Sequence, residues 1–183
     1  MLNTDSEKKI IVVGCPRSGT TYISRQYRRN GIEVHHEQLG PDGTVNWCIG
    51  PMLADKYTNS MLKAPWGGHT VTELKQRYPN ALTYHVVRHP QYAMSSMTTI
   101  SRPSWNFIQQ FMKMWHYWNL LCEEAAVNTY MLEDTSTCFS AQTPKFANSR
   151  KHKIYSIDEF AETDPHLWGK IKIQANKYGY QDL

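Results

Sequence analysis

The sequence predicts a three-layer α/β fold in which helices cover both faces of a central parallel sheet of about four to five strands. Three observations indicate this class. Short apolar runs alternate along the chain with longer segments of helical periodicity. A turn bounded by two glycines follows the first apolar run at once, as at a strand-to-helix junction. No repeat, linker or change of composition divides residues 1–183, so we expect a single compact domain.

In the first part of the chain, elements are delimited by turn and capping residues. The apolar residues 10–13 form a buried strand, and Asn30-Gly31 is a good end for the helix that follows. An alternating segment then leads into the glycine-rich turn at 39–43. The predicted elements are strands at residues 9–14, 32–37 and 60–65 and helices at residues 19–30, 45–58 and 70–78.

In the second part, the longest periodic segment places Phe107, Phe111, Met114 and Trp118 every three or four positions, which is the pattern of a core-facing helix. The polar stretch 135–153 is predicted to be a long surface loop. The predicted elements are strands at residues 81–87 and 130–133 and helices at residues 92–100, 105–128 and 165–177. Ligands of such a sheet bind at the carboxyl ends of the strands.

The turn after the first strand, GCPRSGTT, is a candidate anion site because backbone N–H groups and the helix dipole converge there. Gly14 and Gly19 have the G-x-x-x-x-G spacing of a P-loop. Thr20, however, occupies the position of the lysine that contacts a nucleoside triphosphate, and the cation has moved to Arg17. This favours a smaller anion held by N–H groups, hydroxyls and one guanidinium over a magnesium–triphosphate site.

Composition limits the other classes of function. The net charge of +4 is too small to argue for a nucleic-acid partner, and no apolar run approaches the ~20 residues of a membrane span. The four cysteines show no C-x-x-C or zinc spacing, so no metal site is expected. Without a signal-peptide pattern they are interpreted as reduced thiols of a cytoplasmic protein.

The sequence CPRSGTTY resembles the 5′-phosphosulfate loop of the PAPS-dependent sulfotransferases. The resemblance implies a P-loop-NTPase-like sulfotransferase fold, PAPS as sulfuryl donor, PAP as product and no metal requirement. The strand-end sequence VRHPQYAMSS is similar to the family's 3′-phosphate motif, with Arg88 and Ser96 on its two binding positions and His89 where an acidic residue or Asn is usual. The residues implied to bind the 5′-phosphosulfate are Pro16, Arg17, Ser18, Gly19, Thr20 and Thr21.

A late basic loop that also touches the 3′-phosphate is a further property of the family. Arg150 and Lys151 lie in the predicted loop and are candidates for this contact. The alternative interpretation, a solvated basic loop, stays open.

Sulfuryl transfer needs a general base for the acceptor. Pro65 stands where the cytosolic small-molecule sulfotransferases have their catalytic His, after Lys63. The carbohydrate, tyrosyl-protein and some bacterial sulfotransferases instead have a Glu at the end of the second strand, and this chain has Glu37 there, after His36. We therefore predict Glu37 as the base with His36 as the alternative, and Lys63 as a second cation toward the transferred group.

The expected acceptor is a hydroxyl or amine of a small molecule or carbohydrate, with Asp42 and Trp47 lining its pocket. Two other functions stay open. A P-loop small-molecule kinase is disfavoured by Thr20 and by the lack of a clear Walker-B carboxylate. A non-catalytic PAP- or nucleotide-binding module is the other alternative.

Overall fold

The structure, a computed structural model, describes residues 8–47, 71–99, 107–126, 128–134 and 151–183. Its strands are β1 (Ile10–Gly14), β2 (Val34–His36), β3 (Gly43–Asn46), β4 (Leu82–Val87) and β5 (Asn128–Met131). Its helices are α1 (Thr20–Arg29), α2 (Val71–Arg77), α3 (Pro90–Met97), α4 (Phe107–Ala125), α5 (Ile157–Thr163) and α6 (Pro165–Tyr178), and a 3₁₀ turn spans Leu132–Asp134. Among these helices, none combines the length and the apolar character that crossing a bilayer requires.

The five strands form one parallel sheet in the order β2-β3-β1-β4-β5, which confirms the predicted α/β class. Residues of β1 face alternate sides because side chains alternate along a strand. Val12 packs with Ile23 of α1 in one core. Ile11 and Val13 face a larger core on the other side, to which α4 and α6 contribute. Helices therefore cover both faces, and the carboxyl ends of the strands lie along one edge.

The connection between β2 and β3 is unusually short for parallel neighbours, which commonly need about a dozen residues to cross over. Residues 37–42 suffice because β2 has only three residues. Glu37 begins the return with a φ of 57°, and Gly43 ends it with a φ of 146°. A Cβ on Gly43 would lie 1.9 Å from the Ile10 carbonyl oxygen, so only glycine allows this approach.

β3 corrects the prediction of a helix beginning at residue 45. Val45 is fully buried and pairs with Val12 of β1 on one side and His36 of β2 on the other. Insertion between two strands thus decides the conformation of residues 43–46, which carry only one large apolar side chain. The rest of that predicted helix and the predicted strand 60–65 lie outside the described residues.

Two differences concern the second part of the chain. β5 begins two residues before the predicted strand, and the predicted positions 132–133 belong to the 3₁₀ turn. α5 was not predicted, although its start carries a capping box: Ser156 Oγ accepts from the Glu159 N–H at 3.1 Å, and the Glu159 carboxylate accepts from the Ser156 N–H at 2.7 Å.

A buried histidine in β4 makes stability depend on pH. His85 is fully buried, with Nδ1 3.2 Å from Thr129 Oγ1 and Nε2 3.0 Å from Asn119 Oδ1. Burial lowers its pKa from 6.5 to about 4. Between these values the unfolded chain binds the extra proton, so stability falls as pH falls. We expect His85 to contribute about 3 kcal/mol at neutral pH that is lost by about pH 4.

Urea unfolding between pH 7 and pH 4 measures this loss, and His85→Gln is the matched control because an amide can keep both polar contacts without titrating. Between pH 7 and pH 4 the free energy of unfolding should fall by about 3 kcal/mol less in the variant than in the wild type. Equal slopes would contradict the assignment.

Candidate functional site

The loop between β1 and α1 has a backbone shaped for an anion. Arg17 has a φ of 69° and Gly19 a φ of 82°. The Ser18 N–H donates to the Cys15 carbonyl at 3.0 Å, which closes a turn over residues 15–18. Alternating left-handed residues curl successive N–H groups into a concave nest. α1 then begins at Thr20, with no side-chain cap on its first turn in the part of the chain described. Its first N–H groups are therefore available to a ligand.

Gly19 is fixed by its neighbour as well as by its conformation. A Cβ at this position would lie 2.6 Å from Leu132, which follows β5 and is itself buried. The residue after β5 thus packs directly against the loop where α1 begins. A left-handed non-glycine residue costs roughly 1–2 kcal/mol, and Arg17, two residues before Gly19, carries that strain. Strain of this kind is common at ligand-binding sites.

Ser18 is the buried polar side chain of the loop. It is 0% exposed, and its Oγ has no hydrogen-bond partner among the described residues. An unsatisfied buried hydroxyl costs about 1–3 kcal/mol, which an anion accepting its hydrogen bond would offset.

Arg17 joins the loop to Arg88 and Ser96, the two residues of the predicted 3′-phosphate motif. Its Nε donates to Ser96 Oγ at 2.8 Å across 79 residues of sequence. Arg88 Nη1 is 3.3 Å from the Arg17 carbonyl oxygen and donates to it. Ser96 is 1% exposed on α3, which begins just after the end of β4. The structure therefore brings Arg17, Arg88 and Ser96 together at the carboxyl edge of the sheet.

Two hydrogen bonds hold the residues that directly follow β4. Trp115 Nε1 donates to the Arg88 carbonyl at 3.1 Å. The Glu133 carboxylate accepts from the His89 N–H at 3.2 Å and from the Tyr180 hydroxyl at 2.6 Å. Burial lowers the pKa of Arg88, and the nearby Glu133 opposes that shift. Because an arginine guanidinium keeps its proton in proteins, Arg88 remains a cation at neutral pH.

His36 lies on the opposite side of the loop, at the end of the edge strand β2. Its Nε2 is 3.0 Å from Thr20 Oγ1 and 3.3 Å from Thr21 Oγ1. Burial lowers the pKa of His36, and the neighbouring Glu37 opposes the shift. The imidazole is therefore neutral at pH 7, and it links the first turn of α1 to β2.

Glu37 follows at once and is partly exposed. Its Oε1 accepts a hydrogen bond from Trp47 Nε1 at 2.5 Å and lies 3.6 Å from His36 Nε2. Trp47 follows β3 and packs against Trp118 of α4, with ring centroids 5.8 Å apart. Among the described residues both side-chain contacts fall on Oε1. The second carboxylate oxygen, Oε2, has no hydrogen-bond partner among the described residues.

Asp42 is the predicted site residue that the structure separates from the others. Its carboxylate accepts from the Glu33 N–H at 2.5 Å, and its carbonyl accepts from the Ile10 N–H at 2.8 Å. Both contacts lie at the amino ends of the strands, because residues 37–42 return the chain to that edge. Asp42 therefore does not line the pocket predicted for it, and it acts as a turn residue.

The late basic loop is described only in part. Of its two predicted cations, Arg150 lies outside the described residues, and Lys151 is exposed in the segment that precedes α5. Lys63, the predicted second cation toward the transferred group, also lies outside the described residues. The Tyr155 N–H in that segment donates to Ser95 Oγ at 3.0 Å, and Gln91 Nε2 donates to the Tyr155 carbonyl at 2.9 Å. These bonds fasten the segment that follows the predicted loop to α3, through the residue next to Ser96.

The sequence analysis did not identify the aromatic residues that contact the backbone at the end of β4. Trp115 donates to the Arg88 carbonyl, and the Tyr180 hydroxyl, which donates to Glu133, also lies 3.3 Å from the Val87 carbonyl oxygen. In the sequence they are ordinary aromatic residues at helical spacing or near a helix end, and no local pattern marks them. A role through backbone carbonyls becomes visible only when the elements are packed.

No protein-family model, curated protein or solved structure matches this chain. The functional assignment therefore depends on the residues of the site.

Proposed function

We propose that this protein is a PAPS-dependent sulfotransferase of the cytoplasm, which moves a sulfuryl group to a hydroxyl or amine of a small-molecule or carbohydrate acceptor. The transfer is in line, needs a general base and needs no metal. The proposal combines the two sequence motifs with the site at the carboxyl edge of the sheet.

The observation that carries the proposal is the hydrogen bond from Arg17 to Ser96. The two residues belong to the two motifs that the resemblance assigns to the two ends of one nucleotide, and Arg17 Nε lies 2.8 Å from Ser96 Oγ. The Arg17 guanidinium bonds to Ser96, and the Arg88 guanidinium bonds to the Arg17 carbonyl, so both cations belong to this part of the site. A doubly phosphorylated ligand would neutralise them through charge-assisted hydrogen bonds.

The residues present fit such a donor. The unpaired Ser18 hydroxyl, the left-handed Gly19 and the open first turn of α1 together supply donors for a phosphosulfate. Arg88 and Ser96 would hold the 3′-phosphate. When bound, PAPS supplies the activated sulfuryl group. Arg17 and the loop N–H groups stabilise the negative charge that develops on the departing phosphate, each such donor being worth about 3 kcal/mol.

Glu37 fits the role of base better than His36 does. His36 Nε2 already contacts two threonine hydroxyls, so its ring is committed to the start of α1. Glu37 keeps Oε2 for an acceptor proton. We therefore assign proton removal to Glu37 and the orientation of Thr20 and Thr21 to His36.

Calorimetric titration with PAP, without and then with Mg²⁺, tests the donor site. The wild type should bind PAP independently of the metal. Arg88→Ala should bind about 10- to 100-fold more weakly, because hydrogen bonds to charged groups contribute about 1.5–3 kcal/mol. Arg29→Ala is the matched control: it removes the same charge from an exposed position in the last turn of α1.

The two alternatives give different results. Magnesium-dependent ATP binding without PAP binding would overturn the sulfotransferase and support a kinase. Tight PAP binding without transfer to hydroxyl or amine acceptors would support a non-catalytic PAP-binding module.

A further inference from the structure

We propose that Trp47 is a positioning residue for Glu37. The indole N–H fixes one carboxylate oxygen, so that the other faces the acceptor. This inference rests on the proposed function, since it concerns the base of that reaction. It replaces the role predicted for Trp47, which was to line the acceptor pocket.

The first argument is the confinement of Glu37. A glutamate side chain has several rotatable bonds, and a partly exposed one ordinarily samples many rotamers. Here the Trp47 N–H donates to Oε1, and a carboxylate is a charged acceptor, which strengthens such a bond. The backbone is confined too, because the Glu37 N–H donates to the Val45 carbonyl at 3.0 Å. Both ends of Glu37 are thus tied to the β3 side of the sheet.

The second argument is that Trp47 is itself supported. Its ring packs against that of Trp118, which is 3% exposed in the middle of α4. The indole therefore cannot follow the carboxylate if the carboxylate moves. A chain of contacts runs from the helical core through two indoles to Oε1, while Oε2 has no partner among the described residues.

The third argument is chemical. As the acceptor oxygen bonds to sulfur, its proton passes to Glu37 Oε2, and the electron pair of the broken S–O bond stays with the phosphate of PAP. The proton must be taken along one direction, set by where the acceptor lies. A carboxylate whose other oxygen is fixed offers its lone pair in a constant orientation, and misplacement by about 1 Å can cost on the order of 100-fold in rate.

Kinetics with paired variants test the proposal. Trp47→Phe keeps most of the ring and removes the N–H. PAP formation from PAPS, with N-acetylglucosamine supplied as acceptor, should show kcat reduced about 10- to 100-fold and the KM for PAPS within about 2-fold of wild type. In the Glu37→Gln background, Trp47→Phe should cause little further loss, because the two residues act as one unit.

A spectroscopic readout tests the contact without substrate. In a ¹⁵N-labelled protein the Trp47 Nε1–H resonance should lie downfield, as expected for a short bond to a carboxylate. Glu37→Gln should move it upfield. The resonance of Trp168, which stacks on Phe160 away from the site, serves as the internal control and should not move. This variant leaves Trp47 intact, so the test holds even if Trp47→Phe folds poorly.

An unmoved Trp47 resonance in Glu37→Gln, or a full additive loss in the double variant, would overturn the positioning role. Failure of the proposed function is distinguishable from either result. In that case the wild type would form no PAP from PAPS, while the resonance would still report whether the indole holds the carboxylate.

Discussion

Replacing Arg17 by alanine is expected to reduce sulfuryl transfer by about 100- to 1,000-fold and to weaken PAP binding as well. Arg17 supplies the cation of the loop and is bound to Ser96 at 2.8 Å. Preorganised donors at developing charge are worth about 3 kcal/mol or somewhat more. Single-turnover rates with PAPS and calorimetry with PAP measure the two effects separately.

The control for Arg17→Ala is Arg29→Ala, which changes net charge equally far from the loop. Alanine at residue 17 meets the same left-handed strain as arginine, so the backbone is not relieved by the change. Arg17→Lys should recover only part of the rate, because an ammonium lacks the planar fork. A wild-type rate in Arg17→Ala would remove this residue from the mechanism.

Replacing Glu37 by glutamine is expected to lower transfer by about 100- to 10,000-fold, the usual contribution of a general base, with PAP affinity almost unchanged. The glutamine oxygen can still accept from Trp47, so the geometry at φ 57° is preserved while the proton acceptor is lost. Rates of PAP formation at saturating PAPS measure the effect.

His36→Gln is the matched comparison, because it removes the only other candidate base at the end of β2. We expect it to lower the rate less than Glu37→Gln does and to weaken PAP binding, through the loss of the contacts to Thr20 and Thr21. The reverse ranking of the two rates would assign proton removal to His36.

The fold was predictable where structure follows from local pattern. β1, the loop and α1 appear at nearly the predicted residues because an apolar run, two glycines and the end at Asn30-Gly31 are all local signals. β3 was not predicted because Thr44 and Asn46 are polar yet buried within the sheet. Their conformation comes from pairing with β1 and β2, which no window of sequence contains.

Short motifs predicted several residues of the candidate site, but they did not predict the residues that contact and support them. Arg17, Arg88 and Ser96 were named from short motifs, and the parallel sheet brings them to one edge. The role predicted for Asp42 assumed a strand at residues 32–37, whereas β2 spans only Val34–His36. Only a three-residue strand lets residues 37–42 carry the chain back to the opposite edge.

β2 is an edge strand, and short edge strands are where sheets open first. Here it is fastened to α1 as well as to β3: Ser24 Oγ donates to the Val34 carbonyl at 2.8 Å, and His36 contacts Thr20 and Thr21. Hydrogen bonds therefore join the strand that precedes the candidate base to the helix that follows the loop. We therefore expect the opening of β2 to be coupled to that of α1, so that the candidate base and the loop lose their arrangement together on local unfolding.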